Sequence, residues 1–416
     1  MCRGVVAPLV ERLRALIADE RRFWIALAVF CTAVSFFKGI RLPDLWSATQ
    51  SQLDYSGGFI RRGMFGEFLD LLNIHHYIPF AGISYLLMVA LLLVLWWYAR
   101  HFRPLNIFRA IVLAVFFSSF AVGYLASMVG FLDIPLALLV VGFLCVDSLP
   151  IRAVLAPPMI VLGILVHEIF AVVFVPVILL SFLLSAVPGD QTRRKFPRIL
   201  IAYVIFLLAL GMLTTFRIST FPTLPREGMA AFQEHIQQKV NFPLRPDLFL
   251  VLGRGVLDNL RIMSHYFRTG RYWMDQASTA MIFLPNALLF LWVSTLCLRS
   301  LSVGKGARRL LFWGSVVASF VPLMMNFLGW DVGRWWALTE LTAFLTMLTV
   351  QRAAGASFDP KETEIFKRTA VWLIALNMAS GTGLMDFVRT NTFPFSDLVK
   401  SGLTMLHAHH LILPVR

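Results

Sequence analysis

Four short polar motifs interrupt an otherwise apolar chain, and their residue types are those that move protons, grip phosphates or hold sugar hydroxyls. The first is "LDYSGGFIRRGMFGEF", Leu53 to Phe68, which carries Asp54, a Gly-Gly pair and the adjacent arginines Arg61 and Arg62. A carboxylate can act as a general base, and guanidinium forks grip phosphate oxygens in bidentate fashion. The second is Asp133 in "GFLDIP", the third is His167-Glu168 in "LVHEIF", and the fourth is Asp331 with Arg334 in "GWDVGRWW".

Each motif also has a plainer reading. Asp54 could cap a short helix while Arg61 and Arg62 touch lipid headgroups. Asp133, two residues before Pro135, has the form of a helix start. It could equally be a second carboxylate, sharing acid-base work or binding a metal. His167 and Glu168 stand in the middle of a long apolar run, where an ionisable pair is costly unless it faces a cavity or a partner. They could cap a break between two helices, act as a base, hold a metal or contact hydroxyls; one His and one Glu do not make a metal site, and HExxH is absent. Asp331 and Arg334 are spaced to pair on a helix start. Trp330, Trp335 and Trp336 suit an interfacial aromatic belt or a sugar-stacking surface. The tail "HAHH", His407 to His410, has loose metal-ligand spacing but reads as an exposed terminus.

Composition says what must position these motifs. Of 416 residues, 58% are hydrophobic and 14% charged, too apolar for a soluble domain. The chain reads as an all-α, polytopic integral membrane protein, a single transmembrane domain over 1–416. About eleven spans are expected, near 22–38, 80–98, 105–126, 133–147, 153–166, 168–187, 199–216, 278–298, 310–328, 335–350 and 369–386. The apolar run from Ala153 to Val187 is too long for one span and is divided at His167-Glu168. A loop at 39–79, with an interfacial helix over 64–72, and a long loop at 217–277, with two amphipathic helices, separate some of the spans. The net charge of +14 comes in short clusters between apolar blocks, so it signals orientation and lipid contact rather than nucleic acid. Cys2, Cys31, Cys145 and Cys297 are scattered and form no disulfide framework. The N-terminal apolar run lacks a good cleavage site and reads as a retained first span.

Lysines and arginines concentrate on the alternate loops that include "RHFRP", "RRKFPR" and "GKGARR", which puts the N-terminus in the cytoplasm. All four polar motifs then fall on the outer face. The long outer loop adds Arg226, Arg245, Arg254, Arg261, Arg268 and Arg271. The asymmetry points to one site at the outer membrane surface.

This layout resembles the GT-C superfamily of integral-membrane glycosyltransferases: a first span, an outer loop with an aspartate and an interfacial helix, and a second acidic motif between later spans. "LDYSGGFIRRGMFGEF", "LVHEIF" and "GWDVGRWW" also resemble segments of bacterial envelope-polysaccharide proteins of that type. The chain departs from the common pattern in two ways. Asp54 is followed by Tyr55 rather than a second acid, with Asp44 ten residues away, and no large C-terminal soluble domain is seen. The resemblance implies transfer of a sugar, with inversion, from a polyprenyl-phosphate-linked donor to a glycan, lipid or protein acceptor at the outer face of a bacterial inner membrane. It makes Asp54 the base and Asp133 a second acid or metal ligand. Arg61, Arg62 and long-loop arginines would neutralise the leaving phosphate, and His167, Glu168, Asp331 and Arg334 would hold substrate. A divalent cation, Mg or Mn, is left open, with Asp133 and Glu168 as the candidate ligands. Two other functions fit a polytopic chain of this kind: an O-antigen-type polymerase using lipid-diphosphate-linked glycan, and a non-enzymatic lipid or glycan transporter. A transporter predicts inverted repeats and broken helices in both membrane halves, and no sequence repeat is visible.

Overall fold

The structure, a computed structural model, describes residues 19–101, 106–186, 195–220, 226–354, 360–379 and 406, and is helical with no strand among them. The His407–His410 tail, Cys2 and the far end of the expected span 369–386 lie outside the described residues. Helix α1 (Glu20–Gly39) starts where Asp19 accepts the Arg22 N–H and ends near Lys38, charges matched to the helix dipole at both ends. Two short helices follow, α2 (Leu45–Ser51) and α3 (Gly63–Leu71), and then the long apolar α4 (Tyr77–His101). The expected span 105–126 is one bent unit. Helices α5 (Ile107–Ser118) and α6 (Phe120–Ser127) meet at 45° about Ser119, whose extended backbone interrupts the helical ladder. Helix α7 (Asp133–Leu144) and α8 (Leu149–Val166) come next.

The apolar run 153–187 does break at the charged pair. His167 is extended, and the chain resumes as α9 (Phe170–Val173) and α10 (Val175–Ser185). Helix α11 (Lys195–Thr220) leads into α12 (Arg226–Lys239), α13 (Pro246–Leu252) and α14 (Val256–Tyr266). The bundle is completed by α15 (Gly270–Arg299), α16 (Lys305–Phe320) with a 3-10 extension over Val321–Phe327, α17 (Val332–Ala354) and α18 (Pro360–Ala379). Among the described residues six helices are long and apolar enough to cross a membrane, and seven if the bent α5–α6 pair is one span. The apolar helices α7 and Phe170–Ser185 are shorter.

Helix α17 explains why apolarity alone undercounts the bundle. Nearly every residue from Val332 to Gln351 is buried, against α15, α16, α10 and α6. A helix enclosed by protein need not satisfy lipid, so it can carry Thr339, Thr342, Thr346, Thr349 and even Glu340. Threonine hydroxyls there bond back to carbonyls of their own helix, as Thr339 does to Trp335 at 2.8 Å. The aromatic packing beside it is tight, with Phe116 stacked on Phe344 at 3.9 Å between ring centres.

The segments 39–79 and 217–277 do not lie apart as two surface loops. They share an apolar core in which Leu53, Ile60 and Leu69 meet Phe232, Ile236, Phe242 and Phe249. The amphipathic faces of α12 and α13 therefore find a protein partner, each large side chain contributing up to about 2 kcal/mol by burial. Helix α14 keeps Val256, Leu257 and Leu260 outward, and Phe68 and Leu71 of α3 and Leu250 of α13 are also exposed, as on helices that lie against a lipid surface. Gly66 permits the closest approach in this layer: a Cβ there would stand 1.8 Å from the Leu53 carbonyl oxygen. We expect Gly66→Ala to force α3 off that strand of backbone and lower unfolding stability in detergent by at least about 1–3 kcal/mol. An unchanged thermal transition would show that α3 can shift freely.

Candidate functional site

The sequence motifs converge because of the directions in which their helices run. Asp133 opens α7, His167 follows the end of α8, Asp331 and Arg334 open α17, and Asp44 opens α2 just past the end of α1. All of these termini lie at one end of the bundle, with α3 laid across the end of α8.

Two ion pairs, one buried and one partly buried, form the floor. Asp133 is 1% and Arg334 8% exposed, and the guanidinium grips the carboxylate in bidentate fashion at 2.8 and 3.1 Å. The Arg334 guanidinium also lies over the Trp335 ring at 5.0 Å and reaches Asp331 at 3.5 Å. The expected Asp331–Arg334 pairing is thus present but secondary. Beside it, Arg62 donates from Nε to both Glu168 oxygens at 3.1 and 3.2 Å. Arg62 holds a left-handed backbone, φ 67°, at the start of α3, an uncommon state for arginine that aims its side chain at the α8 break. His167 accepts the Ile169 N–H at Nδ1, 3.3 Å, and so caps the resumed helix, while the same nitrogen lies 3.2 Å from Glu168. Arg334 is within electrostatic reach of His167, which makes the two pairs one charged floor.

Other residues of the first motif are differently engaged. Arg61 donates to the Leu252 carbonyl and, at 2.8 Å, to that of Arg254, so it caps the end of α13 instead of standing open to a phosphate. Asp54 is 3% exposed and takes the Lys239 ammonium at 2.6 Å together with the Ser56 hydroxyl. Burial alone would raise the Asp54 carboxyl, but Lys239 and Ser56 outweigh it and hold it below the usual carboxylate range. Arg245 pairs with Asp247 at 2.7 Å at the surface. Trp335 and Trp336 are buried, the latter bonded to Gln276 at 3.1 Å, which leaves Trp330, 41% exposed, as the open ring.

The open carboxylates above this floor are Asp331 and Asp44. Asp44 caps α2 through the Ser47 N–H at 2.7 Å yet remains exposed. The turn before α7 presses against it. Gly130, at φ 96°, leaves no room for a Cβ, which would come within 2.8 Å of Ser47 Oγ and 2.9 Å of Pro43. Asp44 and Asp331 feel each other's charge, and Arg245 is within reach of Asp44. Crowding raises the Asp44 carboxyl, two Ser47 bonds oppose it, and Asp331 pushes it further up. Crowding likewise raises Asp331, opposed by Arg334 and reinforced by Asp133. Tyr124 of α6 packs against Gly333 and adds a phenol within reach of Asp133, Asp331, Arg334 and Arg41.

The sequence placed Asp44 only as an acid ten residues from Asp54, and the fold sets it within electrostatic reach of Asp331. Sequence reasoning missed Lys239, whose signal was a lone cation ending an amphipathic helix, and Tyr124. It also passed over Glu340, fully buried in α17 beside Ser119 and Asn286, with neither carboxyl oxygen hydrogen-bonded among the described residues. Among the described residues no three His, Cys, Asp or Glu side chains cluster as a metal-binding group, so Asp133 and Glu168 meet arginines rather than each other.

Two outcomes follow. Arg62→Met should cost about 3 kcal/mol of unfolding stability by leaving Glu168 unpaired, and adding Glu168→Met should recover most of it. Equal stability of Arg62→Met and wild type would mean the pair holds nothing in place. The second concerns acid. Because the folded-state Asp54 value is depressed, its contribution is present above the unfolded carboxyl value of about 4 and is lost as pH falls through the depressed value. Lys239→Met should therefore flatten the acid limb of the stability–pH curve. An unaltered limb would place that dependence elsewhere.

Comparison with models of known protein families, with curated proteins and with solved structures returns no match for this chain.

Proposed function

We propose that the protein is a membrane glycosyltransferase that moves a sugar, with inversion, from a polyprenyl-phosphate-linked donor to a glycan, lipid or protein acceptor at the outer face of the membrane. The observation that carries this reading is that two solvent-open carboxylates, Asp44 and Asp331, from segments nearly 290 residues apart, come within electrostatic reach of each other beside the Asp133–Arg334 and Arg62–Glu168 pairs. An acid pair of that kind is what the GT-C-like layout lacks in the first loop taken alone.

The roles within the site shift from those expected of the motifs. Asp54, closed and held by Lys239, positions α12 against the first loop. Asp44 is the base: it accepts the proton of the acceptor hydroxyl as that oxygen attacks the anomeric carbon. The bond from that carbon to the phosphate oxygen breaks, and its electron pair leaves with the polyprenyl phosphate. Asp331 keeps Asp44 basic through like-charge repulsion, and the nearby Asp133–Arg334 pair holds Asp331 in place. Arg245, half-exposed at the edge of the recess, is the long-segment arginine placed to meet phosphate. The exposed Trp330 ring offers a sugar-stacking surface, and the apolar grooves between helices suit an isoprenoid tail.

The test is turnover of defined polyprenyl-phosphate-linked donors by the reconstituted protein. Asp44→Asn retains the helix cap and should lower kcat by about 10²–10⁴-fold, as loss of a general base does. Asp331→Asn should move the acid limb of the pH–rate profile downward, because Asp44 then loses the like charge that raises it. Asp54→Asn should retain kcat in the fraction that stays folded. Full activity of Asp44→Asn, or loss of kcat in a stable Asp54→Asn protein, would return the base to Asp54.

A further inference from the structure

The same helices that gather the motifs at one end enclose a second polar space at the other. A cavity of about 440 Å³ lies between the far ends of α4, α7, α10, α15 and α17 and the first turn of α8. Its walls carry two guanidinium groups, Arg152 and Arg352, and the hydroxyls of Tyr98, Ser181, Ser185 and Thr349.

Arg152 is the informative member. It is 6% exposed, enters α8 one turn after the Ser148 cap, and donates from Nη2 to the Ser185 hydroxyl at 3.1 Å. Its guanidinium lies 5.7 Å from the centre of the Phe182 ring. Its Nε has no hydrogen-bond partner among the described residues. A buried guanidinium without a carboxylate in contact is costly, and proteins keep such charges where something negative comes to them. Arg352 worsens the balance, since the two cations lie within electrostatic reach of each other. Arg352 is braced by the Leu144 carbonyl at 2.6 Å and by Asp147 at 3.0 Å, so it cannot swing away. Asp147 lies in reach of both arginines, and its side chain is 68% exposed. Two cations therefore face one partly solvated anion around a space large enough for a ligand headgroup.

We propose that this cavity binds a phosphate-bearing anion between Arg152 and Arg352, at the end of the bundle opposite the charged floor. Two planar forks, with the Arg152 Nε–H unpartnered among the described residues, and a hydroxyl-lined wall match the three or four oxygens of a phosphate monoester or diester. The ligand is an anionic phospholipid headgroup or free phosphate, which share this chemistry. The site does not depend on the glycosyltransferase reading.

The experiment follows thermal unfolding of the full chain in two settings. In zwitterionic detergent, inorganic phosphate is titrated against chloride at matched ionic strength. In nanodiscs, phosphatidylcholine alone is compared with phosphatidylcholine containing phosphatidylglycerol. A saturable rise with phosphate identifies free phosphate as sufficient, and a rise only with the anionic lipid identifies the headgroup. Arg152→Gln should weaken the response by about tenfold or more, the loss of one charge-assisted contact. Ser302→Glu, in the exposed loop that also lines the cavity, should do the same without touching a buried side chain, and it decides the matter if Arg152→Gln does not fold. No response in the wild type to either anion, or a wild-type response in Ser302→Glu, would overturn the proposal.

Discussion

Below the surface of a helical membrane bundle a charge is costly unless its opposite lies beside it, and the arrangement of the end that carries the polar motifs follows from that constraint. Asp133 and Arg334 satisfy it by a bidentate contact between the first turns of α7 and α17. That contact fixes the register of the central helix against its neighbour. With Arg334 committed, Asp331 is brought over the floor, and the Trp330-Trp336 stretch is set so that two tryptophans go inward and one stays open. The Arg62–Glu168 pair applies the same constraint between layers. It ties the short helix α3 to the break after α8, at the cost of a left-handed arginine.

Once the deep charges are paired, the distinction that matters chemically is between closed and open carboxylates. Asp54, Asp133 and Glu168 each lie against a cation within hydrogen-bond distance. Their charges hold the scaffold. Asp44 and Asp331 keep solvent access in a crowded recess, where burial raises both carboxyls, reinforced by Asp331 at Asp44 and by Asp133 at Asp331. Paired charges and open charges are interleaved at the same helix termini, so removing the first kind would also disturb the second.

The helix breaks have a similar double character. The bend at Ser119 and the extended His167 each release backbone groups that a lipid-facing helix could not leave unpaired. They occur where protein surrounds them: Ser119 and His167 are both almost fully buried. At His167 the ring itself caps the resumed helix, so the residue that ends one segment starts the next. The layer made by segments 39–79 and 226–266 follows the same economy. Its helices bury apolar side chains in one another, while α14, with Phe68, Leu71 and Leu250 of its neighbours, keeps apolar residues outward as a lipid-surface layer does.

Much of this was legible in the residues. Long apolar blocks with few charges can fold only as membrane-spanning helices, and a charged pair inside a 35-residue apolar run must mark a break or a buried partner. The interfacial helix after Arg62 and the helix ending at Lys239 were visible as periodicity. Pairing was not legible, because partners such as Asp133 and Arg334 lie 201 residues apart and any of several arginines could have served. The helix α17 was visible as the expected span 335–350, but its enclosure by other helices was not, because a local window registers apolarity and not which neighbours surround it. Composition and periodicity therefore decided that this is a helical membrane protein with its polar motifs gathered at helix ends. Which carboxylates are neutralised and which stay open, Asp54 closed and Asp44 exposed, was decided only when the tertiary structure set the distances, because electrostatic energy depends on separation in space and not along the chain.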